Sequence, residues 1–228
     1  MSETHKLEHV HIVISVRKEP TDHLLELARA ATKLVGSSNV HIVIGHNAAK
    51  LLGEMPAKVI ALPTDRAQSA AIAYAGCHLY RMDPTAIMIL VDADSPDSKR
   101  QLESNFAGLM KAADQPGAMV TLGSLENFHS IHAWSIYSLM ETFRNHCPVD
   151  FPIINEIART WGRDPMAIKR LYEKLPSEEI AEKLLVKIRA GYPTYNVVLK
   201  EANPLPNPPA IDPLTDPSTI SSPKDLNN

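Results

Sequence analysis

The sequence predicts an α/β fold with a mostly parallel central sheet flanked by helices and a mainly helical C-terminal part. Three observations support this. Short apolar, β-branched runs recur along the first half of the chain, helical patterns fill most of the gaps between them, and further helical patterns follow Trp134. Strands that alternate with helices favour parallel pairing through right-handed crossovers. At 228 residues, 44% hydrophobic and 21% charged, the chain is long enough for one sizeable core.

Each element follows from its own pattern. Apolar runs predict strands at residues 10–16, 40–44, 59–62, 87–91 and 118–122. Between the first two strands, Thr21 and Asp22 can cap a helix whose apolar residues repeat every three or four positions until Gly36 ends it. Residues 66–80 predict another helix, and their many small side chains would let it approach the sheet or a ligand closely.

The C-terminal part is expected to cap the sheet within the same domain. Helical patterns cover residues 135–145, 151–161, 165–174 and 177–190, and residues 195–199 fit a last strand. Residues 203–228 carry seven prolines among Asn, Ser and Thr, without an apolar period, which is typical of a disordered tail. The sequence therefore predicts one α/β domain over residues 1–202 and a proline-rich tail over residues 203–228.

The most informative segment is the apolar run 87–91 with the two carboxylates that follow it, Asp92 and Asp94. Such a run fits a strand buried on both faces, and α/β sheets bind ligands at the carboxyl ends of their strands. Because residues i and i+2 of a strand point to the same side, both carboxylates can face one Mg²⁺ or Mn²⁺ ion. The alternative is structural, since Asp94 can instead cap a helix that Ser95 and Pro96 begin.

Charge and composition limit the class of partner. The net charge is −3 and no run of Lys or Arg occurs, so strong binding to nucleic acid or to an anionic membrane is not expected, although a nucleic-acid acceptor stays open. No window approaches the roughly 20 apolar residues that span a bilayer. Cys77 and Cys147 lack metal-ligand spacing. These features predict a cytoplasmic protein with a buried, reduced Cys77, and they do not decide between a monomer and a homo-oligomer.

Residues 63–123 resemble family 2 glycosyltransferases, which have the glycosyltransferase-A type fold. The resemblance is carried by Arg66-Ala67-Gln68-Ser69-Ala70, the strand 87–91, Asp92-Ala93-Asp94-Ser95-Pro96-Asp97 and Gly117-Ala118-Met119-Val120-Thr121. Together with a less specific N-terminal half, it covers residues 9–123. The resemblance implies a metal-dependent transferase that uses a nucleotide diphospho-sugar donor and Mg²⁺ or Mn²⁺, and it leaves the acceptor unnamed.

The resemblance also implies which residues contact the nucleotide. The loop after the first strand, with Ser15, Arg17 and Glu19, corresponds to the nucleotide-facing loop of such enzymes. Asn47 stands where an acidic residue usually contacts the base, so that acid is missing here. Arg66 opens a helix whose N-terminal N–H groups can already hold an anion, which makes it a candidate phosphate ligand.

Metal ligands are implied in the same way. Asp94 would bind the cation directly, and Asp92 would contact the ribose, or the metal through water. Many relatives supply a further ligand from a downstream histidine, so His129 and His132 are candidates. The alternative for each histidine is a place in a loop or in the cap of the helix that begins near Ser135.

A catalytic base is required only if the reaction inverts the anomeric centre. Asp150 and Glu156 lie roughly where relatives carry an acidic pair at the start of a helix, so they are the candidate catalytic residues. Asp150 is equally well explained as an N-cap. A retaining reaction needs no such base, and the sequence leaves this choice open.

Other functions compete with the glycosyltransferase interpretation. The helix at 66–73 and the strand end at 91–95 also resemble nucleotidyltransferases of the mannose-1-phosphate guanylyltransferase kind, which share the sheet topology. Their glycine-rich phosphate loop is absent, because no glycine precedes Gly36. A haloacid dehalogenase type phosphatase is excluded, since Pro96 stands where its motif needs Thr or Val. The missing acid at Asn47 favours a third alternative, a binding or regulatory module without turnover.

Overall fold

A single mixed sheet organises the computed structural model, which describes residues 7–64, 68–114, 118–122, 131–175 and 196–199. Within this part of the chain, seven strands pair in the order β3-β2-β1-β4-β6-β5-β7. Their bounds are β1 Val10–Val16, β2 Val40–Ile44, β3 Lys58–Ala61, β4 Ile87–Asp92, β5 Met119–Leu122, β6 Ile131–Ser135 and β7 Asn196–Leu199. The predicted α/β fold with a mostly parallel sheet is confirmed.

The first four strands run parallel, and β6 runs against its neighbours. β1 pairs in parallel with both β2 and β4, and β2 pairs in parallel with β3. β6 is antiparallel to β4 on one side and to β5 on the other, while β7 is parallel to β5. The strands β1 to β4 therefore all end at one edge of the sheet, which we call the carboxyl edge.

Helices cover both faces of this sheet. In chain order they are α1 Asp22–Val35, α2 His46–Ala49, α3 Gln68–Met82, α4 Ser98–Ala113, α5 Ile136–His146, α6 Phe151–Thr160 and α7 Pro165–Tyr172. α1 ends as its sequence predicts, because Gly36 adopts a φ of 80° that side chains with a Cβ rarely accept. Ser135 caps α5 by accepting a hydrogen bond from the Ser138 N–H.

Two apolar cores lie on opposite faces of the sheet. One packs α1 and α4 against residues such as Ile12, Ile14 and Ile89. The other packs α3, α5, α6 and α7 against residues such as Val13 and Leu90. Side chains alternate between these cores along each strand, so β1, β2 and β4 are buried on both faces and appear in the sequence as near-continuous apolar runs. The described helices α5, α6 and α7 thus cap one face of the sheet.

The described structure corrects the sequence-based elements in two places. Residues 131–135, expected to lie in a loop or helix cap, form the antiparallel strand β6, because Ile131, Ala133 and their neighbours satisfy their backbone groups between β4 and β5. The helix expected to end at residue 80 continues to Met82, and residues 66 and 67 at its expected start lie outside the described residues. Residues 177–190 and the tail 203–228 lie outside the described residues. No helix in the described part of the chain is long and apolar enough to cross a membrane.

Candidate functional site

The two carboxylates of the motif lie at the carboxyl edge, where β1 and β4 end side by side. Ser15 is the register partner of Asp92, and the carbonyl oxygen of Ser15 accepts a 3.0 Å hydrogen bond from the Ala93 N–H. This bond extends the pairing of the two strands one residue past the end of β4. The backbone therefore holds the start of the Asp-x-Asp segment against β1, at the edge where open α/β sheets bind ligands.

Arg17 joins the two carboxylates. Its Nη2 donates to Asp92 Oδ2 at 2.6 Å, and its Nε lies 3.4 Å from Asp94 Oδ2. The Asp92 side chain is 2% exposed and that of Asp94 10%, whereas that of Arg17 is 34% exposed. The guanidinium therefore covers a nearly buried pair of carboxylates from the solvent side. The prediction that Asp92 and Asp94 face one side of the strand end agrees with this geometry.

The loop that carries Asp94 is held by local hydrogen bonds. Asp92 Oδ1 accepts a 2.9 Å hydrogen bond from the Asp94 N–H, and the Asp92 carbonyl oxygen accepts one from the Ser95 N–H at 3.3 Å. Asp92 thus shapes the turn with one carboxylate oxygen and binds Arg17 with the other. The helix α4 begins only at Ser98, with Asp97 as N-cap, so the capping alternative for Asp94 is wrong.

His23 supports the same loop from α1, and the sequence analysis missed it. Its Nε2 lies 3.2 Å from the Ser95 carbonyl oxygen and 3.0 Å from Ser98 Oγ. A carbonyl oxygen only accepts, so Nε2 carries a proton and donates to it. The sequence gives no sign of this contact, because His23 is a lone histidine in the first turn of an amphipathic helix and lies 72 residues from Ser95.

His132 lies inside the sheet near the carboxylates. It pairs in register with Leu90 across β4 and β6, so it points to the same face as Leu90 and Asp92. Burial lowers its pKa to about 4, while the negative charge of Asp92 acts in the opposite direction. The ring is therefore neutral at pH 7 and keeps a nitrogen lone pair. His129, the other candidate ligand, lies outside the described residues.

The carboxylates present one oxygen suited to a divalent cation. Asp94 Oδ2 is buried and accepts no hydrogen bond from the described residues, although the Arg17 Nε lies nearby. Among the residues that the structure describes, no three His, Cys, Asp or Glu side chains form a group arranged to hold a metal ion. Mg²⁺ usually keeps several waters and binds one or two carboxylates together with substrate phosphates. Two carboxylates with one unsatisfied oxygen fit that pattern.

Two other candidate nucleotide ligands, Glu19 and Asn47, lie at the carboxyl edge but have no described contact with Asp92 or Asp94. Glu19 follows β1 in an exposed loop, and Asn47 is exposed in the short helix that follows β2. The Asn47 side-chain oxygen accepts a 3.5 Å hydrogen bond from Lys50 Nζ. Because β2 lies next to β1 and runs parallel to it, both residues sit at the same edge as Asp92. Arg66 lies outside the described residues.

The two candidate bases belong to α6. Asp150 is its N-cap without a side-chain capping bond, and Glu156 lies 3.7 Å from Arg159 Nη1. Glu156 also lines a cavity of about 580 Å³ between α6 and α7. None of these described contacts connects α6 to the carboxylates. The role of Asp150 or Glu156 as a base therefore stays a prediction.

Comparison with known proteins addresses the fold. No family model matches the chain, and no curated protein matches it in sequence. Mannose-1-phosphate geranyltransferase from Thermus thermophilus superposes with a TM-score of 0.65 at 11% identity, over 85% of this chain and 74% of that chain. Mannose-6-phosphate isomerase from Helicobacter pylori superposes with a TM-score of 0.55 at 11% identity, over 85% and 97%. A glycosyltransferase involved in glycosylation of the major capsid of PBCV-1 reaches only 0.29, which is too low to support an argument.

The strand order and the two superpositions define the class of the fold. The chain has a glycosyltransferase-A-like fold, with a mostly parallel sheet and helices on both faces. At 11% identity, the likeness extends to the fold and not to the reaction.

Proposed function

We propose that this protein binds a nucleotide diphospho-sugar together with Mg²⁺ or Mn²⁺ and transfers the sugar to an acceptor. One observation carries the proposal: a nearly buried pair of carboxylates, Asp92 and Asp94, stands at the ligand-binding edge of a glycosyltransferase-A type sheet. Arg17 already pairs with these carboxylates, but Asp94 Oδ2 accepts no hydrogen bond from the described residues. A carboxylate oxygen of this kind can bind Mg²⁺ together with waters and donor phosphates, which supports the proposal.

The residues at the carboxyl edge have separate roles in this proposal. A bound divalent cation would neutralise the diphosphate leaving group as the glycosyl bond breaks. Asp94 holds the cation directly, and Asp92 orients the loop through the Asp94 N–H. His132 does not form a group of three ligands with the two carboxylates in the described part of the chain, so waters and donor phosphates would complete the shell of the cation.

The nucleotide contacts are proposed on position alone. Glu19 and Asn47 follow β1 and β2 at the edge that carries Asp92, and they contact the base and ribose of the donor. Ser15 is buried within β1 as the register partner of Asp92, so its candidate contact stays a prediction. Arg66 contacts a phosphate. For an inverting reaction Asp150 or Glu156 acts as the base, and the acceptor is left open.

A second candidate function is nucleotidyl transfer to a sugar 1-phosphate. It is favoured by the names of the two superposing structures, which both refer to a mannose phosphate. The absence of any glycine before Gly36 counts against it, because backbone N–H groups in a glycine-rich loop are what close around a triphosphate. A catalytically silent binding module is the third outcome.

One panel separates these functions. UDP-, GDP- and ADP-sugars are titrated into the protein with and without Mn²⁺, and hydrolysis or transfer is followed; nucleoside triphosphates with mannose 1-phosphate are assayed in parallel. We expect Mn²⁺-dependent affinity for at least one nucleotide sugar. Turnover of triphosphate and sugar phosphate alone would favour the second candidate, and binding without turnover would favour the silent module.

Asp94→Asn tests the site itself. The amide keeps the size of the side chain but removes the charge that holds the cation, so metal-dependent donor binding should fall at least tenfold. Asp97→Asn is the matched control, because Asp97 lies three residues away, is half exposed and pairs with Arg100. Equal losses in both variants, or full donor binding by Asp94→Asn, would contradict the proposed function.

A further inference from the structure

Arg17 occupies the place where a cation would neutralise the carboxylate pair. Its guanidinium reaches Asp92 Oδ2 through Nη2 at 2.6 Å and Asp94 Oδ2 through Nε at 3.4 Å. Two carboxylates that point at one region need a positive charge there, since they would otherwise repel each other. In the described structure the protein supplies that charge from its own first loop.

This counter-ion can leave. The Arg17 side chain is 34% exposed, and Arg17 lies in the loop just after β1, outside the hydrogen bonds of the sheet. Asp92 and Asp94 are instead held by the end of β4 and by the turn that follows it. Movement of the guanidinium requires rotation of a side chain that is one-third exposed, whereas movement of the carboxylates would disrupt the strand end.

A departing guanidinium needs another anion. Leaving the carboxylates for water would forfeit a charge-assisted hydrogen bond to a nearly buried oxygen. A diphosphate offers several oxygens to the planar guanidinium fork, which suits bidentate binding better than a Lys ammonium would. A divalent cation can then take the carboxylates without leaving the arginine unpaired.

We propose that Arg17 is an exchangeable counter-ion, which neutralises Asp92 and Asp94 in the absence of ligand and transfers to the diphosphate when Mg²⁺ or Mn²⁺ occupies the carboxylates. The inference rests on the proposed function, because it assigns the diphosphate of the nucleotide ligand as the second partner of Arg17. Metal and nucleotide then bind in a coupled manner, and each raises the affinity for the other by the same factor.

Variants of Arg17 should change the affinities for metal and for nucleotide in opposite directions. Removing the guanidinium removes the competitor for the carboxylates, so Mn²⁺ alone should bind more tightly. The nucleotide loses a cationic partner, so its affinity in the presence of saturating Mn²⁺ should fall. An arginine that only binds phosphate would change the second affinity and leave the first unchanged.

The decisive measurement is a titration with Mn²⁺ alone, followed by electron paramagnetic resonance at about 0.15 M KCl, close to physiological ionic strength. We expect Arg17→Gln to bind Mn²⁺ about tenfold more tightly than the wild type. Lys18→Gln is the matched control, because it removes one positive charge from the neighbouring position of the same loop and Lys18 has no described contact with either carboxylate. Its effect should stay below about threefold, since salt screens exposed charges.

Three results would overturn the inference: unchanged Mn²⁺ affinity in Arg17→Gln, equal gains in both variants, or no Mn²⁺ binding by either Arg17→Gln or the wild type. Arg17→Met, which keeps the apolar stem of the side chain, replaces Arg17→Gln if a thermal melt shows that the latter is unfolded. The titration contains no nucleotide. A failure of nucleotide-sugar binding would therefore contradict the proposed function while the metal titration tests Arg17 separately.

Discussion

His11 Nδ1 lies 3.0 Å from His41 Nε2, and both rings are buried side by side where β1 and β2 begin. One nitrogen must carry the shared proton and the other must accept it, so the two rings cannot both be cationic while this contact is kept. Burial lowers the pKa of His11 to about 4 and that of His41 to about 3, with the charge of Lys58 acting in the same direction. The pair lies at the opposite end of the strands from Asp92.

We expect the free energy of unfolding to fall as the pH drops below about 6.5. In the unfolded chain these histidines titrate near pH 6.5. The folded chain keeps His11, His41 and His132 neutral down to pH 3 to 4, because burial lowers their pKa values. Between about pH 4 and pH 6.5 the unfolded chain therefore binds more protons than the folded chain. The stability that these histidines contribute is fully present above pH 7 and falls by about a few kcal/mol per histidine as the pH drops toward 4.

Urea unfolding at pH 7.5, 6.5, 5.5 and 4.5 measures this loss. In His41→Gln the slope of stability against pH near 5.5 should decrease by about 1.4 kcal/mol per pH unit, which corresponds to one proton fewer. His46→Gln is the control, because it makes the same substitution at an exposed histidine outside the buried pair, and an equal decrease of the slope in both variants would contradict the prediction. A wild-type stability that does not change between pH 7.5 and 5 would contradict the prediction.

Asp92→Asn and Asp94→Asn should differ in their effect on stability. Asp92 is 2% exposed, binds Arg17 and accepts the Asp94 N–H, so its amide variant should lose about 1–3 kcal/mol. Asp94 Oδ2 accepts no hydrogen bond from the described residues, and Asp94→Asn should lose less than about 1 kcal/mol. Urea unfolding at pH 7.5 gives both values. The opposite order would mean that Asp94, not Asp92, shapes the loop.

His23 is expected to position the loop without touching the ligand. His23→Ala removes the donor to the Ser95 carbonyl oxygen, and this should cost about 1 kcal/mol of stability and weaken metal-dependent nucleotide-sugar binding. His23→Gln keeps an N–H donor and should recover most of the binding. If His23→Ala and His23→Gln lose the same affinity for the nucleotide sugar, or if neither loses any, His23 only packs at the start of α1.

The proline-rich tail should be dispensable for folding. Residues 203–228 contain seven prolines and few large apolar side chains, so they can contribute little buried surface. A chain that ends at residue 202 should have the melting temperature of the full chain within about 1 °C. A decrease of several degrees, measured by circular dichroism at equal concentration, would indicate that the tail packs on the domain or on a second subunit.

The parallel half of the fold could be predicted from the sequence because its strands are buried on both faces. Such strands have near-continuous apolar runs, and β1, β2 and β4 lie where those runs predict. β6 could not be found in this way. Its five residues, Ile-His-Ala-Trp-Ser, include two polar side chains, so the segment lacks the apolar run that identifies a buried strand. His132 and Trp134 are buried only because β6 lies between β4 and β5, and a pattern of five residues does not predict that pairing.

The candidate site was predictable in its carboxylates and not in their partners. Asp92 and Asp94 follow a recognisable strand, and two-residue periodicity places them on one side. The contact of Arg17 with Asp92 joins residues 75 positions apart, and it depends on the pairing of β1 with β4 and on one side-chain rotamer. The family resemblance indicated Arg17 as part of a nucleotide-facing loop, and only the folded chain shows its contact with the carboxylates.

The reversed direction of β6 separates the stability of the sheet from sequence variation at its carboxyl edge. Leu122 at the end of β5 pairs with Ile131 at the start of β6, so the connection between these strands leaves and re-enters the sheet at the carboxyl edge. Changes in sequence between Leu122 and Ile131 leave every ladder bond of β5 and β6 in place, because these two residues end and begin their strands at this edge. Variation at the edge that carries Asp92 can therefore accumulate with little cost to the stability of the sheet.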